Sequence, residues 1–232
     1  MLLFSILAAA LAPGIALLTY FYLKDRYESE PVHMVVKLFL LGVLVVLPTV
    51  IIQRGLSLWW GEQPLVFAFG ISAGVEEGLK WFLLYHFILN HTEFDEPYDG
   101  IVYATAISLG FATAENVLYA FFQPVSFGSL LVRALLPVSG HALFGVTMGY
   151  YVGKAKFAAK GGKKRSFLLL ALSLPVLEHG VYDWITGSGG AYWVWFIVPL
   201  MAFLWVKGMR TIQRANSRSP FRLHAREEEV KL

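Results

Sequence analysis

Two adjacent carboxylates and a lysine, Glu76, Glu77 and Lys80, stand in the sequence ISAGVEEGLKWFLL, inside an apolar run from Pro64 to Leu89 with no other charge. Carboxylates can activate water or bind metal, but a charge near the middle of a membrane helix is costly unless it is paired or faces a polar cavity. On a helix Lys80 lies one turn from Glu76 and three residues from Glu77, so it can reach either acid. The two glutamates themselves point about 100° apart. One can then face a reaction cavity while the other is tied to a neighbouring helix. A structural ion pair locking two helices would explain these three residues alone, but not the acids and imidazoles further along the chain.

Three later apolar runs carry groups of the same kind. Glu115 lies in the run from Tyr98 to Phe122, and His141 lies near the middle of the next, whose outer end holds Arg133. Glu178, His179 and Asp183 come after these, with His179 and Asp183 one turn apart on a helix. Counted inward from the estimated outer ends, Glu76 and His141 lie near about 18 Å, Glu115 about 10 Å and His179 about 12 Å deep. Four helices each delivering an acid or an imidazole to one layer can provide a base for water, oxyanion donors and metal ligands. Helix packing alone does not require two histidines. The same layer would also serve a membrane transporter or a proton or ion pathway, which is the alternative reading. His33, His86, His91 and His224 lie near helix ends or in the tail and read as interfacial residues.

The elements that must position these residues are legible in composition. The 232-residue chain is 57% hydrophobic and 15% charged, with a mean hydropathy of +0.59, outside the range of a soluble domain. Seven apolar runs, roughly 2–23, 33–53, 64–89, 98–122, 129–153, 166–186 and 191–208, are each long enough to cross a bilayer. Continuous runs of this length exclude a barrel, so the expected fold is all-α: a polytopic membrane bundle of about seven transmembrane helices with a four-helix core at 64–186. Spans one and two read as scaffold. Gly70, Gly74 and Gly78, and again Gly145, Gly149 and Gly153, offer bare backbone faces for close helix packing. The chain has no cysteine, which removes disulfides, thiolate nucleophiles and thiolate metal sites.

Basic residues flank the first loop (Lys24, Arg26, Lys37), crowd the loop at 154–165 and fill the C-terminal segment. The positive-inside rule makes these segments cytoplasmic, with the N-terminus outside and the C-terminus inside. Met1 to Leu23 has no basic n-region and reads as a retained span. The loop from His91 to Asp99 fits this scheme poorly, being acidic with no Lys or Arg. Residues 214–232 are expected to form a disordered cytoplasmic tail carrying both charges. Topology accounts for its basic residues, so no nucleic-acid partner is expected.

EEGLK (Glu76, Glu77, Lys80), FATAEN (Phe111, Glu115), the helix around His141, and HGVYD (His179, Asp183) resemble, in order and spacing, the motifs of the PrsW intramembrane proteases. These are relatives of the type II CAAX prenyl endopeptidases and the Abi or CPBP membrane proteins. The resemblance implies a bacterial plasma-membrane endopeptidase over residues 1–213. It implies the site-1 cut in a single-pass anti-sigma factor, which leads to release of an extracytoplasmic-function sigma factor under envelope stress. Carried over, Glu76, Glu77 and His179 are the catalytic residues, with Glu115, His141 and Asp183 completing the site. The CAAX relatives carry FxxxH where this chain has Phe111 and Glu115, and HxxxN where it has His179 and Asp183. Asp183 is therefore expected to orient His179 rather than donate to an oxyanion. Glu76 is expected to act as general base, with Lys80 holding Glu77. The cofactor is unknown: His141, His179 and a glutamate have the donor types of a catalytic zinc site, or one for another divalent metal, but HExxH is absent. A site nearer the outer surface would take water and substrate from outside.

Overall fold

The computed structural model describes residues 2–123, 126–158 and 162–222. Seven crossings run antiparallel in sequence: α1 (Leu2–Leu23), α2 (Val32–Trp60), α3 (Ala73–Phe87) with a π-helical lead over Val66–Ser72, and α4 (Asp99–Phe122). The short α5 (Phe127–Arg133), a π-helical link (Ala134–Val138) and α6 (Ser139–Lys156) make the fifth crossing, followed by α7 (Gly162–Ser188) and α8 (Trp193–Asn216). There is no strand among the described residues. Six crossings are long and apolar enough to span a membrane by composition, and the exception is the third, which holds Glu76, Glu77 and Lys80.

The centre of the bundle is α4, packed by α1, α2 and α6 and buried without interruption from Asp99 to Thr113. Its small residues let neighbouring backbones come very close. A Cβ on Gly110 would stand 2.0 Å from the Phe39 carbonyl oxygen of α2, and one on Gly149 of α6 would stand 2.0 Å from that of Gly100. The second glycine series is thus a packing face against α4. The first is not: a Cβ on Gly70 or Gly78 would meet nothing within 4 Å, and one on Gly74 would meet the nearby Phe69 carbonyl of its own segment. Spacing by four alone does not make an interface, because these glycines have no partner helix seated on them. Gly149→Ala is accordingly expected to lower stability by about 1–3 kcal/mol through overpacking. Gly78→Ala should be neutral or slightly favourable through helix propensity. Thermal unfolding of the two variants in detergent checks this, and equal melting temperatures would contradict it.

Large side chains that remain exposed, such as Leu44, Leu47 and Ile51 on α2 and Trp195, Phe196 and Phe203 on α8, face the lipid position. Trp59, Trp60 and Tyr192 gather at one end of the bundle, where aromatic residues anchor in the interface. The other end carries the basic loops. There Asn216 of α8 donates to the Lys24 carbonyl at 3.3 Å, and Lys156 donates to the His91 carbonyl at 3.0 Å. The helix α8 passes the boundary expected at 213, and Asn216 and Ser219 are buried. Residues 223–232 of the expected tail lie outside the described residues. Two loops at this basic end pack acidic side chains inward. Burial, reinforced by Glu96, pushes the Asp25 carboxyl up to about 8, and burial pushes that of Glu30 to about 7.

Candidate active site

Both π-helical segments end one turn or less before a residue of the polar layer. Ser72 closes the first, four residues before Glu76, and Val138 closes the second, three residues before His141. Each wide turn re-aims the helix that comes after it; in the second, Pro137 withholds a backbone N–H from the usual ladder. Pro175, four residues before His179, likewise removes one backbone donor within α7.

Glu77 is fully buried and is the hub of the layer. Its Oε1 accepts from Lys80 Nζ at 2.8 Å and pairs with His179 Nδ1 at 3.0 Å, tying α3 to α7. Lys80, 1% exposed, also reaches His141 Nδ1 at 3.0 Å and lies 4.1 Å above the Phe111 ring. An ammonium has only donors, so His141 Nδ1 must accept, which places the ring hydrogen on Nε2. From there it donates to Glu115 Oε2 at 3.0 Å. On α7, His179 Nε2 lies 3.4 Å from Asp183 Oδ2, and its ring stacks on Phe144 at 5.0 Å between centroids. The two histidine rings stand nearly perpendicular, 5.0 Å apart. Each is gripped through Nδ1 and turns Nε2 toward the other carboxylates.

Glu76 is held by a different neighbour, and like Glu77, whose Oε2 is buried and unpartnered, it keeps one oxygen free. Its Oε1 accepts from Gln53 Nε2 at 3.1 Å, while Oε2 is buried and has no hydrogen-bond partner. That free oxygen lies 3.6 Å from Lys80 Nζ, 4.0 Å from His141 Nε2 and 3.9 Å from His179 Nε2. All six residues singled out in the sequence therefore meet in one place, and Glu76, Glu115, His141, His179 and Asp183 line a single cavity of about 320 Å³. A second cavity of about 510 Å³ shares Ser72, Asp183 and Thr186 with the first and continues to Glu62, Pro64 and Ser188, at the aromatic end of the bundle.

Several contributors carry no mark in the sequence. Gln53 makes α2 part of the site rather than scaffold. Ser72, Phe144, Tyr182 and Thr186 shape the cavity, and none carries a charge to distinguish it in an apolar run. Arg133 neither pairs with Glu115 nor snorkels away: its Nε donates to Asn116 Oδ1 at 2.7 Å, its guanidinium lies 4.4 Å over Tyr119, and it lines the cavity. Glu178, next to His179, turns to the opposite face, where it pairs with Lys207 and accepts from Thr147 at 3.0 Å. Lys207 thus belongs to a part-buried ion pair of α7 and α8.

The donors Glu76, Glu77, His141 and His179 bring one ligand atom each within 4.8 Å of the others. Glu77 is held through Oε1 by Lys80 and His179. The remaining trio, Glu76 Oε2 and the two Nε2 atoms, has the composition of a His₂Glu centre. Its 3.9 and 4.0 Å separations are only somewhat wider than the roughly 3.3 Å between adjacent ligands implied by metal bonds of about 2.0 Å. A divalent metal fits beside the orphaned Glu76 oxygen once the His141 hydrogen moves from Nε2 to Nδ1, which exchanges the contacts to Glu115 and Lys80 for the metal and leaves Lys80 to the two glutamates.

The stretch 30–206 matches the family described as PrsW family intramembrane metalloprotease. The chain is 48% identical over 213 residues to a protein named Protease PrsW from Geobacillus kaustophilus, covering 91% of this chain and 92% of that one. It is also 48% identical over 215 residues to Protease PrsW of Bacillus subtilis, covering 92% and 97% of the two chains. Protease PrsW of Halalkalibacterium halodurans is 44% identical over 214 residues, 92% of this chain and 98% of that one. No solved structure matches the chain.

Proposed function

The chain belongs to the PrsW family of intramembrane proteases and is a multi-pass membrane protease; from that premise we propose that it makes the site-1 cut in a single-pass anti-sigma factor of a bacterial plasma membrane, on the outer side. The observation that carries this reading is the continuity of the polar cavity with a groove opening at the aromatic end, opposite the basic loops. By the positive-inside rule that opening is extracytoplasmic, with the N-terminus outside and the C-terminus inside. An extended juxtamembrane segment of substrate enters there along Ser72 and Thr186. The cut would commit the anti-sigma factor to further degradation and release its extracytoplasmic-function sigma factor under envelope stress. Between hydrolysis and an ion pathway, family membership decides for hydrolysis.

In the proposed mechanism Glu76 Oε2, whose lone pair is unused by any neighbour, takes the proton of the attacking water. His179, oriented through Nδ1 by Glu77 and flanked by Asp183, serves the oxyanion or the leaving amine through Nε2. Arg133, anchored on Asn116, offers its remaining N–H groups to a substrate carbonyl. Glu76 with His141 and His179 would also hold a divalent metal, which when bound supplies an acidified water and a polarised carbonyl. Glu115, which reaches His141 and lines the cavity, is the carboxylate there that would remain free to hold a proton.

Purified protein in vesicles with a single-pass anti-sigma factor should release the extracytoplasmic part of that substrate; an intact substrate would refute the assignment. Ser188→Cys, exposed at the mouth of the groove in a chain with no other cysteine, should react with an impermeant thiol reagent applied to cells from outside. Labelling from the cytoplasmic side only would reverse the orientation. Stripping metal with a chelator should abolish cleavage and zinc should restore it. Full activity in protein shown by elemental analysis to be metal-free would leave Glu76 as the sole activator of water.

A further inference from the structure

At the opposite end of the bundle from the active site, the acidic loop that fitted the topology poorly turns its carboxylates inward. Asp99 Oδ2 accepts from the backbone N–H groups of Asp95 and Glu96, at 2.8 and 2.7 Å, which folds the loop back over the start of α4. Its other oxygen, Oδ1, is buried without a partner. Glu96 is 0% exposed, and neither of its oxygens accepts a hydrogen bond of acceptable geometry; the Asp25 carboxyl and the Ser219 hydroxyl are its polar neighbours. Both oxygens of Asp25, from the α1–α2 loop, are likewise buried and unpartnered. One oxygen from each of Asp25, Glu96 and Asp99 lies within 4.8 Å of the others. Glu30, held by Tyr103, stands behind them, close enough for its charge to act on Asp99.

Charges buried in a protein are paired, protonated or bound to metal. Among the described residues no ion pair reaches Asp25, Glu30, Glu96 or Asp99. Lys156, the basic side chain that faces this loop, directs its ammonium to the His91 carbonyl and the Phe94 ring. We propose that Asp25, Glu96 and Asp99 form a second cation site, which takes a hard divalent ion such as Mg²⁺, Ca²⁺ or Mn²⁺ at the cytoplasmic end of the bundle. The donors are all oxygens, with no imidazole or thiolate among them, which favours these ions over zinc. Bound there, the ion ties the α1–α2 loop to the α3–α4 loop beneath the Ser219 segment, and so fixes the ends of the helices that carry Glu76 and Glu115. This site is independent of the hydrolytic assignment, because its ligands lie at the other end of α4.

The test uses the full chain in detergent, freed of metal, in a Glu76→Gln background that removes a ligand from the active-site cluster. Saturating Mg²⁺ or Ca²⁺, at about 100 times its Kd, should raise the melting temperature by roughly 5–10 °C. Titration with Mn²⁺ followed by electron paramagnetic resonance should count one tightly held ion per chain. Adding Glu96→Gln should abolish both signals, and Asp25→Asn, in the half-buried loop, supplies a second variant if Glu96→Gln does not fold. No thermal shift and no bound Mn²⁺ in the Glu76→Gln protein would overturn the proposal and leave protons as what neutralises the cluster. Signals that persist in both the Glu96→Gln and the Asp25→Asn chains would overturn it equally.

Discussion

Glu76→Gln is expected to lower peptide-bond cleavage by about a thousandfold, within the range that a positioned base contributes, while the chain stays folded. Glutamine keeps the carbonyl that accepts from Gln53, so the contact between α2 and α3 survives. What changes is the other terminal atom. The oxygen that has no partner becomes an amide that points donors at Lys80 and at the edges of His141 and His179. It can neither accept a proton from water nor serve as a good metal ligand, so the loss is expected with or without metal. Glu115→Gln should cost less, because its contact with His141 lies at the partly exposed rim of the cavity. Cleavage in vesicles measures both, with thermal unfolding as the check on folding. A Glu76→Gln enzyme within tenfold of the parent would remove Glu76 from the chemistry.

The part of the site that could be read in the sequence is the part that lipid makes expensive. Glu76, Glu77, Lys80, Glu115, His141, His179 and Asp183 stand out because each interrupts an apolar run, and depth counting places Glu76, Glu115, His141 and His179 in one layer without knowledge of packing. Uncharged contributors leave no such mark: Gln53 sits near the end of an otherwise plain helix, and Ser72 and Thr186 are ordinary in a membrane span. Charge alone did not reveal which face a residue takes. Glu178 and His179 are neighbours in sequence yet serve opposite faces of α7, one paired with Lys207 and the other with Glu77. The seven crossings could be read from run length, but the π-helical turns at 66–72 and 134–138 could not, since they arise from how the helices seat against one another. The acidic residues at 95–99 were visible only as a misfit to topology. Their burial against Asp25 is a tertiary fact, joining loops about seventy residues apart.

Lys80→Met is expected to lower stability by about 3–5 kcal/mol, the usual cost of stranding one member of a buried ion pair. For a chain of this size that corresponds to roughly 6–20 °C in melting temperature. The cause is local: Glu77 is fully buried, and without the ammonium at 2.8 Å its charge is left with His179 alone. Glu77→Gln strands the lysine in turn, although Glu76 at 3.6 Å partly compensates. The double substitution removes both charges, so it should recover most of the stability that either single change loses, giving a strong non-additive coupling. Activity should not recover with it. Lys80 fixes His141 through Nδ1 and Glu77 fixes His179 through Nδ1, so losing both releases the two rings whose Nε2 atoms must converge on Glu76. Melting temperatures and cleavage rates for the four proteins of this cycle separate the two roles. Additive stabilities would show that the pair does not hold the helices together, and an active double variant would show that it does not aim the histidines.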